Sequence, residues 1–332
     1  MPRSKSIKIQ GIVYSFDRAM QLDAVLRSWY HHCRDAEKTR LTVLFKASDI
    51  FYANQYAVLV NEYPQVTFVD ENNFRRDTLS ILTSLGYNPF QQVWLQLVSY
   101  LINTECIRIP LIKTQINCLA RIVQAKAFVK NAVQENSFIL FLVDDALFVR
   151  DFWLNEVLQA LHSDPEAIGF SLRLGRNTKY CYTLNSLQAP PSFVQVGTHL
   201  LVYPWKEAKL DFAYPLEISS SVYRAQMIIP LVATLRFHHP NKMEGRLAEC
   251  NPILNKYYKN LICFDTSVAF CNPVNMVQKI VPNRAGKLFS YSVRNLAERF
   301  ENGERIDIDT LDGFVPNGCH QEIGFLFQKK HG

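Results

Sequence analysis

The stretch Ser137-Phe138-Ile139-Leu140-Phe141-Leu142-Val143-Asp144-Asp145-Ala146-Leu147-Phe148 decides how the rest of the chain is read. From Phe138 to Val143 every side chain is apolar, the length and composition of a strand buried on both faces. Two carboxylates then arrive together. A buried strand holds unpaired charge only at high cost, so Asp144 and Asp145 belong where the strand emerges, at its carboxyl end. In open α/β sheets that end is where ligands bind. Adjacent carboxylates repel one another; a hard divalent cation with oxygen ligands relieves this, and so does a nearby arginine. The plainer alternative is a strand-end turn in which one aspartate caps a helix beginning near Asp151-Phe152-Trp153 and the other is solvated.

Upstream of this stretch the pattern alternates. Ser6 to Phe16 reads as a first strand ending at Ser15-Phe16-Asp17-Arg18, followed by a helix with Met20, Leu22, Val25, Leu26 and Trp29 on its apolar side. Leu41 to Phe45 is a second strand that stops before Asp49, Ile50 to Tyr63 is helical, and Val66 to Val69 is a third strand. The β-α-β-α-β order predicts a mixed, mainly parallel sheet with helices on both faces, and puts Asp17, Asp49 and Asp144 on loops leaving one edge of it. Thr78 to Thr104 carries no charge, but Gly86-Tyr87-Asn88-Pro89 breaks it. After the break, Phe90, Val93, Trp94, Leu97, Val98 and Leu101 form one helical stripe, read as a helix packed on the core. The region from about Thr78 to Val133 is thus a helical insertion.

Downstream, Asn155 to His162 reads as a helix and Ile168 to Leu174 as a strand. The segment holding Pro190, Pro191, Pro204 and Pro215 reads as irregular, a binding loop or lid. Helices are expected at Ser221 to Leu235, Asn241 to Tyr258 and Phe289 to Phe300, and a strand at Phe264 to Phe270. Asn241 as N-cap with Glu244 three residues on has the form of a capping box.

The 332 residues, 48% hydrophobic and 20% charged, suit a folded protein with a sizeable core. Lysine and arginine number 36 against 30 acidic residues, a net charge of +6 that fits phosphate-bearing ligands or an anionic membrane surface. The basic residues are dispersed, which argues against a nucleic-acid partner. The eight cysteines show no Cys-x-x-Cys pair and read as reduced core thiols. Met1-Pro2-Arg3-Ser4-Lys5 lacks the apolar run of a signal peptide. A cytoplasmic protein is expected, with peripheral association at the inner face of the membrane left open.

In their order, Ser15-Phe16-Asp17-Arg18, Asp49, Phe141-Leu142-Val143-Asp144-Asp145 and Gly169-Phe170-Ser171-Leu172-Arg173-Leu174-Gly175 resemble a GT-A-fold, nucleotide-sugar-dependent glycosyltransferase. Tyr214-Pro215-Leu216, Pro240-Asn241-Lys242-Met243-Glu244-Gly245 and Cys319-His320-Gln321-Glu322 resemble its bacterial polysaccharide-assembly members. The resemblance implies one GT-A domain over residues 1–332, with a nucleotide-sugar-binding half, 1–150, and an acceptor-binding half with a C-terminal tail, 151–332. It implies donor contacts from Ser15, Asp17, Asp49 and Asp144, and Mn²⁺ or Mg²⁺ held by Asp144, Asp145 and His320. The donor would be UDP- or GDP-linked and the acceptor a glycan or a lipid-linked saccharide. Glu244 is the candidate base of an inverting, hexosyltransferase-like reaction, its alternative role being helix capping. Two positions depart from the pattern. Ala146 stands where a third aspartate would, and Ser219-Ser220-Ser221 stands where Asp-Gly is expected, read as a cap for the next helix.

Two other functions remain open from the residues. A catalytically degenerate carbohydrate-binding or scaffolding protein would keep this fold without turnover. A sugar nucleotidylyltransferase would share the architecture but open on a Gly-rich basic phosphate loop, which Gly11 to Arg18 does not provide.

Overall fold

Residues 8–85, 137–277, 284–286 and 291–330 are described by the structure, a computed structural model; the helical stripe read at Phe90 to Leu101 lies outside them. The apolar run at Phe138 forms a strand, β4, and its neighbours in chain order are β1 (Lys8–Phe16), α1 (Ala19–His32), β2 (Thr39–Lys46), α2 (Ile50–Glu62), β3 (Thr67–Asp70) and α3 (Phe74–Thr83), with β4 itself spanning Ser137–Val143. The strands β3, β2, β1 and β4 lie side by side and parallel, as the alternating pattern requires. Tyr14 pairs with both Leu44 and Val143, so β1, β2 and β4 end level and release Asp17, Asp49 and Asp144 at one edge.

After β4 come β5 (Ala146–Phe148), the helix Leu154–Ser163, β6 (Ala167–Ser171), the hairpin β7 (Tyr180–Cys181) and β8 (Ser186–Leu187), then β9 (Val194–Val196), β10 (Leu200–Pro204) and β11 (Ser220–Arg224). The helix Ala225–Thr234 follows, then Pro240–Ala248 and Asn251–Leu254, β12 (Asn260–Phe264), β13 (Ala269–Cys271), the helix Val293–Glu301, β14 (Glu304–Ile306) and β15 (Phe327–Lys329). The main sheet has the order β3-β2-β1-β4-β11-β6-β12-β10-β9, and within it only β11 and β10 run against the others. In the second half of the sheet the pattern shows β6 and touches β12, but not β9, β10 or β11.

Several expectations are corrected here. Ser219 to Ser221 caps no helix: Ser220 opens β11, which inserts antiparallel between β4 and β6. The proline-bearing segment contains β9 and β10, with Pro204 tolerated because it is the last residue of its strand. The helix read from Asn241 to Tyr258 is two, broken ahead of Pro252, whose ring cannot continue the first one. The strand read over Phe264 to Phe270 is likewise two, β12 and β13. No aspartate of the Asp144-Asp145 pair caps the helix after β5. That helix is capped from a distance by Asp35, which accepts from the backbone of Leu154 at 2.6 Å and of Asn155 at 3.0 Å.

Strand alternation sends Ile9, Val13, Phe138, Leu140 and Leu142 to one face of the sheet and Ile12, Tyr14, Ile139 and Phe141 to the other. The first face is covered by α1 with Trp29, by Leu154–Ser163 and by the C-terminal segment; the second by α3 and by the helices Ala225–Thr234 and Pro240–Ala248. Each fully buried Trp, Phe or Leu contributes about 1.5–3 kcal/mol, so both layers hold the sheet firmly. Gly169 lets β6 and β11 close: a Cβ there would stand 2.6 Å from the Tyr223 ring. The six described cysteines are free and buried, in keeping with core thiols. Among the described residues no helix is long and apolar enough to cross a membrane.

Candidate functional site

Strand directions bring the site together. Because β11 runs against β4, with Ser220 opposite Leu142, the residues just before β11 meet those just after β4. Ser171 pairs with Ser221, so Leu172 and Arg173 leave β6 at the same edge. The tail arrives through a bridge between Cys271 and His320, and Cys271 is also the partner of Ala146. Asp17, Asp49, Asp144, Asp145, Arg173, Glu217 and His320 thus gather from six segments of the chain.

Arg18 settles the repulsion between the paired carboxylates. Its guanidinium lies 2.9 Å from Asp144 and 3.7 Å from Asp145, and all three side chains are largely withdrawn from water. Burial pulls Arg18 down, but Asp144 and Asp145 more than offset it and leave it above its ordinary value. The other Asp144 oxygen accepts from the Phe16 backbone at 3.1 Å. Burial pushes the Asp145 carboxyl up against the pull of Arg18, and the Cys271 thiol donates to it.

Asp17 sits at φ 56, a left-handed position that aspartate tolerates better than most residues. Its carboxylate accepts from the Ser48 backbone at 2.7 Å, locking the ends of β1 and β2 together, and burial raises it. Ser15 bonds the Tyr56 hydroxyl at 2.7 Å, and that hydroxyl also accepts from the Arg18 backbone. Asp49 is the N-cap of α2, accepting from Phe51 and Tyr52. Among the expected donor contacts, these three lie on or behind the right edge, each with a structural bond of its own.

Glu244 is not part of a capping box. The N-cap of its helix is His239, whose imidazole accepts from the Lys242 backbone, with Pro240 in the first turn. Asn241 is therefore inside the helix and Glu244 lies beyond the reach of the cap. Its carboxylate instead accepts from the Ile218 backbone at 3.2 Å and from the Tyr214 hydroxyl. Burial pushes Glu244 up to about 7, with Arg173 opposing and Glu217 reinforcing. Arg173 lies 3.3 Å from Glu217, which in turn accepts from the backbones of Ser219 and Ser220 and from the Ser221 hydroxyl. The serine run is therefore a cradle for one buried carboxylate.

His320 stands with Nε2 3.3 Å from Arg173. A guanidinium only donates, so Nε2 accepts and the proton of the neutral ring sits on Nδ1, which is buried with no partner among the described residues. Burial, and then Arg173, push this imidazole down to about 3. Asp144, Asp145 and His320 consequently fit a shared metal ion only in part. Asp144 is occupied by Arg18, and His320 offers an N–H rather than a lone pair. Of the two carboxylates, Asp145 has the weaker arginine contact, 3.7 Å against 2.9 Å for Asp144, and its other bond comes from the Cys271 thiol. Arg18, Arg173 and Glu217 were given no role in the sequence reading, although Arg173 carried the same signal as Asp144, a charge at the end of a buried strand.

The strand order and this acidic edge define an α/β protein with a mixed, mainly parallel sheet, the architecture that the resemblance to GT-A glycosyltransferases implies. No protein-family model matches the chain. It is similar to the bifunctional glycosyltransferase pgtA of Dictyostelium discoideum, with 23% identity over 258 residues, 71% of this chain. The match spans only 27% of that protein's length. Among solved structures it is similar to Staphylococcus aureus TarS 1-349 in complex with UDP (12% identity, 81% of this chain and 62% of that one, TM-score 0.39). Mouse xyloside xylosyltransferase 1 (8%, 75% and 84%, 0.33) and the mannosyltransferase PcManGT of Pyrobaculum calidifontis in complex with GDP-Man and Mn²⁺ (15%, 52% and 37%, 0.28) are further likenesses. These superpositions are partial, and the fold class rests on the topology.

Proposed function

We propose that this chain transfers a sugar from a UDP- or GDP-linked donor to a hydroxyl of a glycan or lipid-linked acceptor, with inversion. The observation that carries this reading is Glu244: a partly buried carboxylate, freed from capping, held by Tyr214 and Ile218 and tuned to about 7. A base that deprotonates an acceptor hydroxyl near neutral pH works best at that value. The first half of the chain, 1–150, would take the nucleotide sugar at the Asp17, Asp49 and Asp144 edge. The second half, 151–332, would supply Glu244 and the acceptor contacts. The cytoplasm, or the inner face of a membrane, is the place where such donors and this charge balance meet.

Each residue then has a physical task. Glu217 anchors Arg173, whose positive charge favours an anion arriving at the edge. The unpartnered Nδ1–H of His320 donates to such an anion. Arg18 keeps Asp144 fixed at 2.9 Å and leaves Asp145 the looser contact, at 3.7 Å. A divalent ion, Mn²⁺ or Mg²⁺, accompanying a diphosphate needs only one or two protein carboxylates, so Asp145 would hold it, and the ion would neutralise the leaving group. Release of nucleoside diphosphate from UDP- and GDP-sugars, with the wild type and Glu244→Gln side by side, tests the proposal. Turnover by the wild type that falls in the variant supports it. Equal release by both assigns the base elsewhere. Nucleotide binding without turnover favours the non-catalytic carbohydrate-binding reading, which Ala146 and the Arg18-bound Asp144 also suit.

A further inference from the structure

On the α1 face of the sheet lies a cavity of about 690 Å³ lined by none of the candidate site residues at the acidic edge. At its rim stand His31 and His32, in the last turn of α1, roughly 20 Å along the helix from Arg18. Opposite them is Asp312. His31 Nε2 lies 3.3 Å from one Asp312 oxygen and His32 Nε2 lies 3.2 Å from the other. Among the described residues this is the one group of three His, Cys, Asp or Glu whose ligand atoms all fall within 4.8 Å of one another.

The frame around it is tied down. The Phe152 backbone donates to the carbonyl of His32 at 3.1 Å and that of Arg34 to Phe152 at 3.0 Å. Gly313, at φ 74, donates to Val149 at 2.8 Å and fixes the turn that carries Asp312. The end of α1 and the Asp312 turn therefore face each other across a braced gap.

His32 holds the second observation. Its side chain is only 5% exposed, and its other nitrogen, Nδ1, lies 3.1 Å from Asp151, which Arg34 also binds. A neutral imidazole has one N–H. If Asp151 accepts it, Nε2 points a lone pair at the Asp312 carboxylate, two electron-rich groups facing one another with no proton between them. A cation between them resolves the conflict. Carboxylate, imidazole and metal in that sequence is the usual arrangement behind a metal-bound histidine. Ligand bonds of about 2.0–2.1 Å at tetrahedral angles put neighbouring donors about 3.3 Å apart, and the two imidazoles lie 3.3 and 3.2 Å from the two oxygens of Asp312, with one donor atom from each residue within 4.8 Å of the others. Two imidazoles and one carboxylate favour a borderline transition ion over Mg²⁺ or Ca²⁺, which prefer all-oxygen sets.

We propose that His31, His32 and Asp312 form a binding site for a zinc-class divalent ion, oriented by Asp151 and with its fourth position open to the cavity. The ion would clip the C-terminal segment to α1, and this site is separate from the one at Asp145. The alternative is a doubly protonated His32 making plain ion pairs with both carboxylates.

The test uses the full chain, free of any histidine tag and stripped with chelator, titrated with Zn²⁺ by calorimetry and with Co²⁺ followed by visible absorption. One equivalent of Zn²⁺, a tetrahedral Co²⁺ spectrum and a raised Tm are expected. His31→Ala and Asp312→Asn, both at exposed positions, should abolish the Co²⁺ band, and Asp151→Asn should weaken Zn²⁺ binding about 10–100-fold. Asp145→Asn should leave it unchanged. No Zn²⁺ uptake by the wild type, or uptake undiminished in His31→Ala and Asp312→Asn, overturns the proposal.

Discussion

Glu244 separates a catalytic from a structural account because its helix is capped by His239. Glu244→Gln keeps an acceptor for the Ile218 backbone but removes the proton acceptor. Turnover should fall by about 10²-fold or more, with stability within about 1 kcal/mol of wild type. The pH dependence has a definite sign. A carboxyl raised from 4.5 to about 7 holds its proton longer in the folded state than in the unfolded chain. Its contribution to stability is full below about pH 4.5 and is lost as pH rises toward 7. Denaturant titrations across that window should therefore show a smaller decline in Glu244→Gln than in wild type. The neighbouring Glu217 behaves differently: Glu217→Ala leaves Arg173 buried without its partner, and unfolding in urea should reveal a loss of about 3–5 kcal/mol. The sequence made the acidic pair and Glu244 legible, because a charge ending an apolar run and an acid near a helix start are local signals. It hid Arg18, Arg173 and Glu217, whose meaning comes from partners up to 257 residues away.

At the level of elements, local pattern and long-range pairing divide the molecule. The segments from β1 to β4 are long enough for period and composition to declare them. By contrast β11 consists of Ser-Ser-Val-Tyr-Arg, and only its position between β4 and β6 makes it a strand. The helix after β5 is legible in the sequence, but its cap is not: Asp35 lies 119 residues upstream of Leu154. Asp35→Ala should cost about 1–2 kcal/mol by loss of that cap, whereas Asp151→Ala should spare the helix. Gly169→Ala brings a methyl group against the Tyr223 ring and within 3.1 Å of the Val222 carbonyl. A destabilisation of about 1–3 kcal/mol, read from the urea midpoint, is expected from the crowding of β6 against β11.

Over the whole molecule, one sheet edge collects Asp144, Asp145, Arg173 and Glu217 while the cavity at the end of α1 collects histidines. Nucleotide binding is proposed at the first of these, with Asp145 as the protein's contribution to a divalent ion. The direct measurement is calorimetric titration of UDP and GDP into wild type and Asp145→Asn, each with Mn²⁺ and with EDTA. One of the two nucleotides should bind the wild type in Mn²⁺ and lose most of its affinity in EDTA or in Asp145→Asn, with the variant's Tm close to wild type. Binding of neither nucleotide, or binding indifferent to both the ion and Asp145, would contradict the account.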